Sequence, residues 1–480
     1  MEKQHDLKYY ICLGITAIVV FGARFLPEIG VITEYGTTVV GIFIGVIFGY
    51  CTIGMILPSF MAFIALGFSG WGTVPEVLQT AIGNPTVLYI ISILLLSAMF
   101  EQSGLANKLV NWFITRRFTK GKPWVISFMI MMAAYWASWF VSSIPPTFIC
   151  WALLTDLFET VGYKKGDKWP IVIMFGVLFA AALGGLVPSF QIGIAANYGM
   201  LAAISGGTLV YNPLAYMGWA FILSMIIFGI YFVFAKYIIR PDVSLLMRDD
   251  LIEEDKTPLT KVQKITAVIF IMFVIGLLLP AVLPEGNSVK ILLDTMGNCG
   301  WGLLMIFFAI LIRIEGQHLF SFDQLFAKGI MWDIVFMMAT VFTLATIVTE
   351  EITGVPDFIS SIVMPMQSSM GTLTFVAVVS LIIVLLGNFT NTVAISCTFI
   401  PVLYVIADDM GLNMFLMVAL INLIDNVCLL MPSASIYATM MYSKRDWIPG
   451  KWCIGFALFS MISIYAVAMI IGIPLGSIFF

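Results

Sequence analysis

Apolar runs of about twenty residues recur along the chain from residue 9 to residue 480, and short polar stretches separate them. Each run is long enough to cross roughly 30 Å of hydrocarbon. The pattern predicts about eleven spans, at 9–26, 36–54, 55–69, 85–104, 169–205, 213–235, 265–283, 297–312, 332–349, 413–443 and 452–475. Two further apolar pairs, 123–141 with 147–159 and 372–386 with 393–406, are too short to be complete crossings. Each pair flanks a polar tip, Ser142-Ser143-Ile144-Pro145-Pro146-Thr147 in the first and Gly387-Asn388-Phe389-Thr390-Asn391-Thr392 in the second. Two limbs around such a tip read as a re-entrant hairpin, because irregular backbone at membrane depth is tolerated only where protein or a water-filled cavity supplies hydrogen bonds. Two of the spans are themselves interrupted, at Gly184-Gly185-Leu186-Val187-Pro188-Ser189 and at Met431-Pro432-Ser433-Ala434-Ser435. The order hairpin, broken helix, closing span therefore occurs twice. The expected fold is an all-α polytopic membrane protein built from two structural repeats.

Composition agrees with this pattern. With 61% hydrophobic and 10% charged residues and a mean hydropathy of +1.04, the 480-residue chain is far from the quarter of charged residues usual in soluble proteins. The seven cysteines show no CxxC or Cys/His spacing, so neither a disulfide framework nor a metal site is expected. The first apolar run lacks a small-residue cleavage site and reads as a retained span. Basic residues favour the cytoplasmic side of a membrane. With the N-terminus inside, the C-terminus outside and one hairpin entering from each face, all of the 23 basic residues except Arg24 and Lys290 fall inside. The stretch from Gly329 to Ser443 contains no Lys or Arg, as suits a second hairpin entering from outside. The repeats are thus expected to be inverted, in a cell inner (cytoplasmic) membrane. The organisation expected is 1–104 as N-terminal scaffold spans and 105–235 as the first repeat with an inward hairpin. A cytoplasmic linker follows at 236–264, then scaffold spans at 265–328 and the second repeat with an outward hairpin at 329–480. Within the first repeat, 105–122 mixes five basic residues with apolar ones in the manner of a helix lying on the membrane surface.

Paired breaks in corresponding positions of two halves point to a transporter's substrate site. Thr390, Asn391 and Thr392 precede one apolar helix, and Ser142, Ser143 and Thr147 stand at the start of another. Helix N-termini offer N–H and O–H donors with a dipole that favours an anion, although the same residue types also serve as helix caps or interhelical hydrogen bonds. Carbonyls released by the breaks are candidate cation ligands. Asp425, flanked by Asn422 and Asn426, is a carboxylate inside an apolar helix, costing at least about 2.5 kcal/mol on insertion scales. It reads either as an ion or proton carrier or as a hydrogen-bonded structural aspartate. Gln191 and Asn197, beyond the first break, are candidates to face the site, whereas Glu101, Glu350 and Glu351 lie near span ends and read as interfacial. His5 and His318 offer no acid–base pair. A net charge of −4 suggests no nucleic-acid partner, no nucleotide-binding loop suggests a pump, and no HExxH, GxSxG with a partner His, or paired aspartate motif suggests an intramembrane enzyme. A passive channel would share the polar tips.

In order and spacing these motifs resemble the divalent anion:sodium symporter (DASS) family of the ion transporter superfamily. The resemblance lies in Phe389-Thr390-Asn391-Thr392-Val393-Ala394 with Pro401, in Ala181-Ala182-Leu183-Gly184-Gly185, and in Leu430-Met431-Pro432-Ser433-Ala434-Ser435. The acidic-Gly stretches Glu101-Gln102-Ser103-Gly104-Leu105 and Glu350-Glu351-Ile352-Thr353-Gly354, and Trp332-Asp333, extend it. It implies a homodimer in the lipid bilayer, with a scaffold and a mobile transport domain moving like an elevator. It also implies symport of a small anion, a di- or tricarboxylate or sulfate, usually with sodium (Na+) as coupling ion and no cofactor. The alternative is a proton-coupled or ion-independent exchanger. On this chain the resemblance implies substrate binding at Ser142, Ser143, Thr147, Thr390, Asn391, Thr392 and Ser435 and ion coupling at Gly184, Asn388 and Ser433, and the depth of its carboxylate adds Asp425 as an ion-coupling candidate. Three departures from the family pattern stand out. The first tip has no asparagine, the broken spans lack paired prolines at Pro188-Ser189-Phe190-Gln191 and Ser435-Ile436-Tyr437, and Asp425 stands where a small residue is usual.

Overall fold

The structure is a computed structural model and describes residues 7–114, 121–247, 257–314, 316–367, 370–389, 392–432 and 434–480. Among these residues it is almost entirely helical, the only strands being the two-residue pair Arg313–Ile314 and Gln317–His318. Eight of the described helices are long and apolar enough to cross a membrane, and seven shorter apolar helices accompany them. The protein is a polytopic membrane protein.

Several predicted boundaries shift. Ile56–Gly67, expected as part of a full span, has 12 residues and is only about 18 Å long. The expected span at 297–312 begins earlier, since Ser288–Leu311 is helical across a kink at Gly297, whose φ of 61° and ψ of 173° an L side chain rarely adopts. In the first hairpin the irregular tip is 138–143. Pro145 and Pro146 lie instead in the first turn of Ile144–Val161, where a missing N–H leaves no bond unmade.

The first hairpin, Pro123–Ala137 and Ile144–Val161, packs on the first half of a broken helix, Lys168–Gly185 and Ile192–Ile204. Pro123–Ala137 runs alongside Lys168–Gly185 in the same direction, with Trp169 Nε1 donating to Ser127 Oγ (3.0 Å) near their starts and Gly184 against Tyr135 near their ends. Every residue from Trp169 to Gly184 is buried. An all-apolar helix belongs in the centre of a bundle, and this one is central. The second hairpin, Thr372–Gly387 and Thr392–Val405, packs likewise on Met414–Asp425, the first half of a second broken helix that ends with Ile436–Ser443.

The second halves of the broken helices are exchanged. Ile192–Ile204 packs against Thr392–Val405 and Met414–Asp425, while Ile436–Ser443 packs on Lys168–Gly185. Tyr198 OH donates to Phe415 O (3.1 Å), so the far end of the first broken helix meets the start of the second. Lys165 Nζ pairs with Asp446 Oδ2 (3.2 Å), joining the start of the first to the end of the second. The broken helices are therefore antiparallel and the hairpins enter from opposite ends. Basic loops gather at one end, where Tyr163 OH also reaches Asp242 O (3.1 Å). At the other end lies the 350–354 turn, where Thr33 N–H donates to Thr353 O (3.1 Å) and Gly354 adopts φ +68° against Val31. This turn half-buries Glu350 and raises its carboxyl above the usual range by desolvation, an effect that a hydrogen bond from Trp71 opposes.

The breaks leave backbone groups that the helices cannot satisfy, and other side chains satisfy them. In the first break Leu186 O accepts from Tyr216 OH (2.9 Å) and Ser189 O from Tyr211 OH (3.4 Å). In the second, Cys428 O accepts from Ser435 Oγ (2.6 Å), Leu430 O from Tyr442 OH (2.8 Å) and Pro432 O from Thr439 Oγ1 (2.7 Å). Asn388, at the end of the second hairpin's first limb, accepts from both Leu429 N–H (3.1 Å) and Leu430 N–H (3.0 Å). In the first repeat the roles reverse: Gln191, from the break, donates to the hairpin carbonyls Ser138 O (2.9 Å) and Val141 O (3.4 Å).

Two expected outcomes follow. A Cβ at Gly184 would lie 2.1 Å from Tyr135 O, so Gly184→Ala should destabilise by about 1–3 kcal/mol through overpacking. Gly193→Ala, with nothing within 4 Å, should not, and thermal melting of the detergent-solubilised variants compares the two. Asn388→Ala should cost about 1–3 kcal/mol because it strands one buried and one part-buried N–H group; the same melting experiment, giving a wild-type Tm, would remove that role.

Candidate functional site

Where the two hairpin tips and the two breaks converge lies a cavity of about 300 Å³, at the lower end of small-molecule sites. The first hairpin contributes Ser142 and Ser143 and the second Thr392, Ser396 and Cys397. The broken helices contribute Gly185, Gln191, Asn197, Asn422, Asp425, Asn426 and Tyr437, and Met337 and Met338 come from Trp332–Val348.

Four of its polar side chains form one network. Asn197 Nδ2 donates to Asn422 Oδ1 (2.6 Å) and to Ser396 Oγ (3.2 Å), and Ser396 Oγ donates to Asp425 Oδ2 (3.1 Å). Asp425 is 5% exposed, and its Oδ1, like Asn422 Nδ2, is buried with no hydrogen-bond partner among the described residues. Room for that oxygen comes from the last residue of the second hairpin's first limb, since a Cβ at Gly387 would stand 3.0 Å from Asp425 Oδ1. Asn426 Nδ2 donates to Ala182 O (2.9 Å), tying the second broken helix to the first. On the opposite wall Tyr437 OH donates to Ser143 Oγ (3.2 Å), and Gly185 lets that hydroxyl approach, a Cβ there falling 2.3 Å from it.

Asp425 is the only charged residue lining the cavity among the described residues. Among the described residues no Lys, Arg or His lines it, so an anion held here would be met by hydroxyls, amides and the N-terminal ends of Ile144–Val161 and Thr392–Val405.

Of the residues singled out from the sequence, the structure brings Ser142, Ser143, Thr392 and Asp425 to this cavity. Thr147 is fully buried away from it, its hydroxyl donating to Ser143 O (2.7 Å). Gly184 is a close-packing position against Tyr135, and Asn388 spends its amide on the second break, with Nδ2 on Val384 O (2.8 Å). Ser435 caps Ile436–Ser443, accepting from Ala438 N–H (3.1 Å). Thr390, Asn391 and Ser433 lie outside the described residues. Gln191 and Asn197 do reach the cavity. Ser396 and Tyr437 were not singled out. Ser396 follows Thr392 by four residues on a helix and so shares its face, a signal present in the sequence, whereas Tyr437 is brought in only by the crossing of the second broken helix.

Comparison with known proteins gives two kinds of match. Two solved structures are similar in fold. The YdaH transporter of Alcanivorax borkumensis matches at a TM-score of 0.54 and 14% identity over 84% of this chain and 88% of that one. MtrF of Neisseria gonorrhoeae, described with a class of antimetabolite efflux pumps, matches at a TM-score of 0.60 and 14% identity over 98% of this chain and 96% of that one. None of the curated proteins matches. The family model CitMHS, citrate transporter, matches residues 39–422. Family and structural neighbours alike are transporters, not enzymes. The match spans well over half of the sequence, and the chain belongs to the CitMHS citrate transporter family.

Proposed function

We propose that this protein is a secondary active transporter carrying a small di- or tricarboxylate of the citrate class, and that a cation moves with it through Asp425. The observation that carries this reading is the charge of the central cavity: donors from two helix starts converge on it, and its only described charge is a carboxylate. An anion about 4 Å from an ionised carboxylate is opposed by roughly 4 kcal/mol at an effective dielectric of 20, nearly three orders of magnitude in affinity. Neutralising Asp425 removes that penalty, so the anion and the cation bind together. This coupling is thermodynamic and reciprocal.

The DASS resemblance names sodium as the cation, together with a homodimer and an elevator motion against a scaffold, and the distribution of basic residues supports placement in the cytoplasmic membrane with the N-terminus inside and the C-terminus outside. A proton is the second reading, and a specific observation favours it. The break carbonyls Leu186 O, Ser189 O, Cys428 O and Leu430 O already accept hydrogen bonds, leaving fewer oxygens to build a sodium cage, whereas a protonated Asp425 needs no further ligand.

The test is uptake of labelled citrate, succinate and sulfate into proteoliposomes under a sodium gradient, a proton gradient or neither. Accumulation of a carboxylate under one gradient is expected; movement of none of the three anions under any condition would sink the proposal. In Asp425→Asn, counterflow of the transported anion should persist while gradient-driven accumulation falls at least tenfold. Accumulation equal to wild type in that variant would remove Asp425 from the coupling.

A further inference from the structure

A second cavity, of about 280 Å³, lies on the other side of the first hairpin tip. Its walls come from Pro85–Gln102, from Phe270 and Phe273 of Lys261–Leu278, and from the tip itself. Ser142, Ile144, Gln191 and Ile192 line both this cavity and the central one, so a single layer of the hairpin tip and first break separates them. The layer is latched on its central side by Tyr437 OH on Ser143 Oγ, and Phe140 backs it on the outer side, stacked on Phe100 with ring centroids 5.5 Å apart.

This outer cavity carries the cation that the central one lacks among the described residues. Lys328 and Glu101 line it, both are exposed, and they form no salt bridge with each other or with any other described residue. Lys328 is held there by close packing: a Cβ on the next residue, Gly329, would lie 2.9 Å from Ala98 Cβ. The cavity lies towards the C-terminal end of Pro85–Gln102. There Gln263 Nε2 bonds Ser103 O (3.3 Å) and Lys108 bonds Thr257 Oγ1, close to the start of Lys261–Leu278.

We propose that this cavity is a second anion-binding station, an antechamber from which a carboxylate passes the first hairpin tip into the central cavity. Lys328 is its anion-holding cation, and Glu101 sets the strength of its attraction. The division of labour follows from charge. A lysine inside the central cavity would pair with Asp425 and block coupling, whereas an unpaired lysine one layer away concentrates anions at the entrance without touching it. Ser142, present in both cavities, is the hydroxyl the anion would keep while moving between them. The inference rests on the transport reading above.

The test uses the full-length protein in proteoliposomes of uniform orientation, with labelled citrate, or whichever carboxylate the wild type transports, supplied in turn on each side. For anion supplied on the Lys328 side at low ionic strength, Lys328→Gln should raise KM on the order of three- to tenfold with kcat unchanged. Glu101→Gln should lower KM, Lys328→Arg should restore it, and all these differences should shrink at high ionic strength. From the opposite side both neutral variants should match wild type. Opposite signs for the two neutralisations support the antechamber, because loss of packing alone would move both the same way. Unchanged KM in both variants, or equal shifts of one sign, with wild-type transport intact, overturns this inference and leaves the transport reading standing. Absence of transport by the wild type defeats both.

Discussion

The constraint on which the structure depends is that a backbone group in hydrocarbon must find its hydrogen bond inside the protein. Two hairpins and two broken helices place many such groups at mid-bundle, and specific side chains answer them: Tyr216 and Tyr211 at the first break, Asn388, Tyr442 and Ser435 at the second, and Gln191 from the first break to its hairpin. Because the Asn388 and Gln191 bonds connect hairpin to broken helix within each repeat, satisfying the backbone also fixes each hairpin against its break. The helix starts left facing the shared space become the walls of a cavity. Site and fold are products of one requirement.

Close approach is the second condition. The tips converge only because Gly184, Gly185 and Gly387 carry no Cβ, each lying where one would collide with Tyr135 O, Ser143 Oγ or Cys428 Sγ and Asp425 Oδ1 respectively. In the same space the electrostatic arrangement is sparse. Neutral donors and one carboxylate face the cavity, with one carboxylate oxygen and one amide nitrogen left unpartnered among the described residues. Unpartnered buried polar groups cost free energy in the empty cavity and become favourable when a ligand or ion supplies the missing bond.

Membrane class, the duplicated order of hairpin and broken helix, and the stretches that meet at the central cavity were legible in the sequence, because hydropathy and the placement of Gly, Pro, Ser and Asn report local solvent and local backbone directly. Asp425 was legible for the same reason, as a charge where lipid or protein interior is expected. Boundaries were less so. The Ser/Pro stretch reads as one tip, yet prolines are compatible with a helix's first turn, and the pair is absorbed there. Residue types that bind anions also cap helices, and the sequence does not say which use is made: Ser142, Ser143 and Thr392 reach the cavity, while Asn388, Thr147 and Ser435 are spent on backbone.

What the sequence determined by itself is therefore what depends on near neighbours: which segments are apolar, where they break, and which breaks carry donors. The tertiary structure alone decided what depends on long-range crossing. Asn197 meets Asn422 across 225 positions, Tyr437 meets Ser143 across 294, and the outer cavity with Lys328 and Glu101 exists only because a short helix far along the chain closes against Pro85–Gln102. Such contacts are set by the packing of whole helices, in which the exchange of broken-helix halves between repeats counts for more than any local preference.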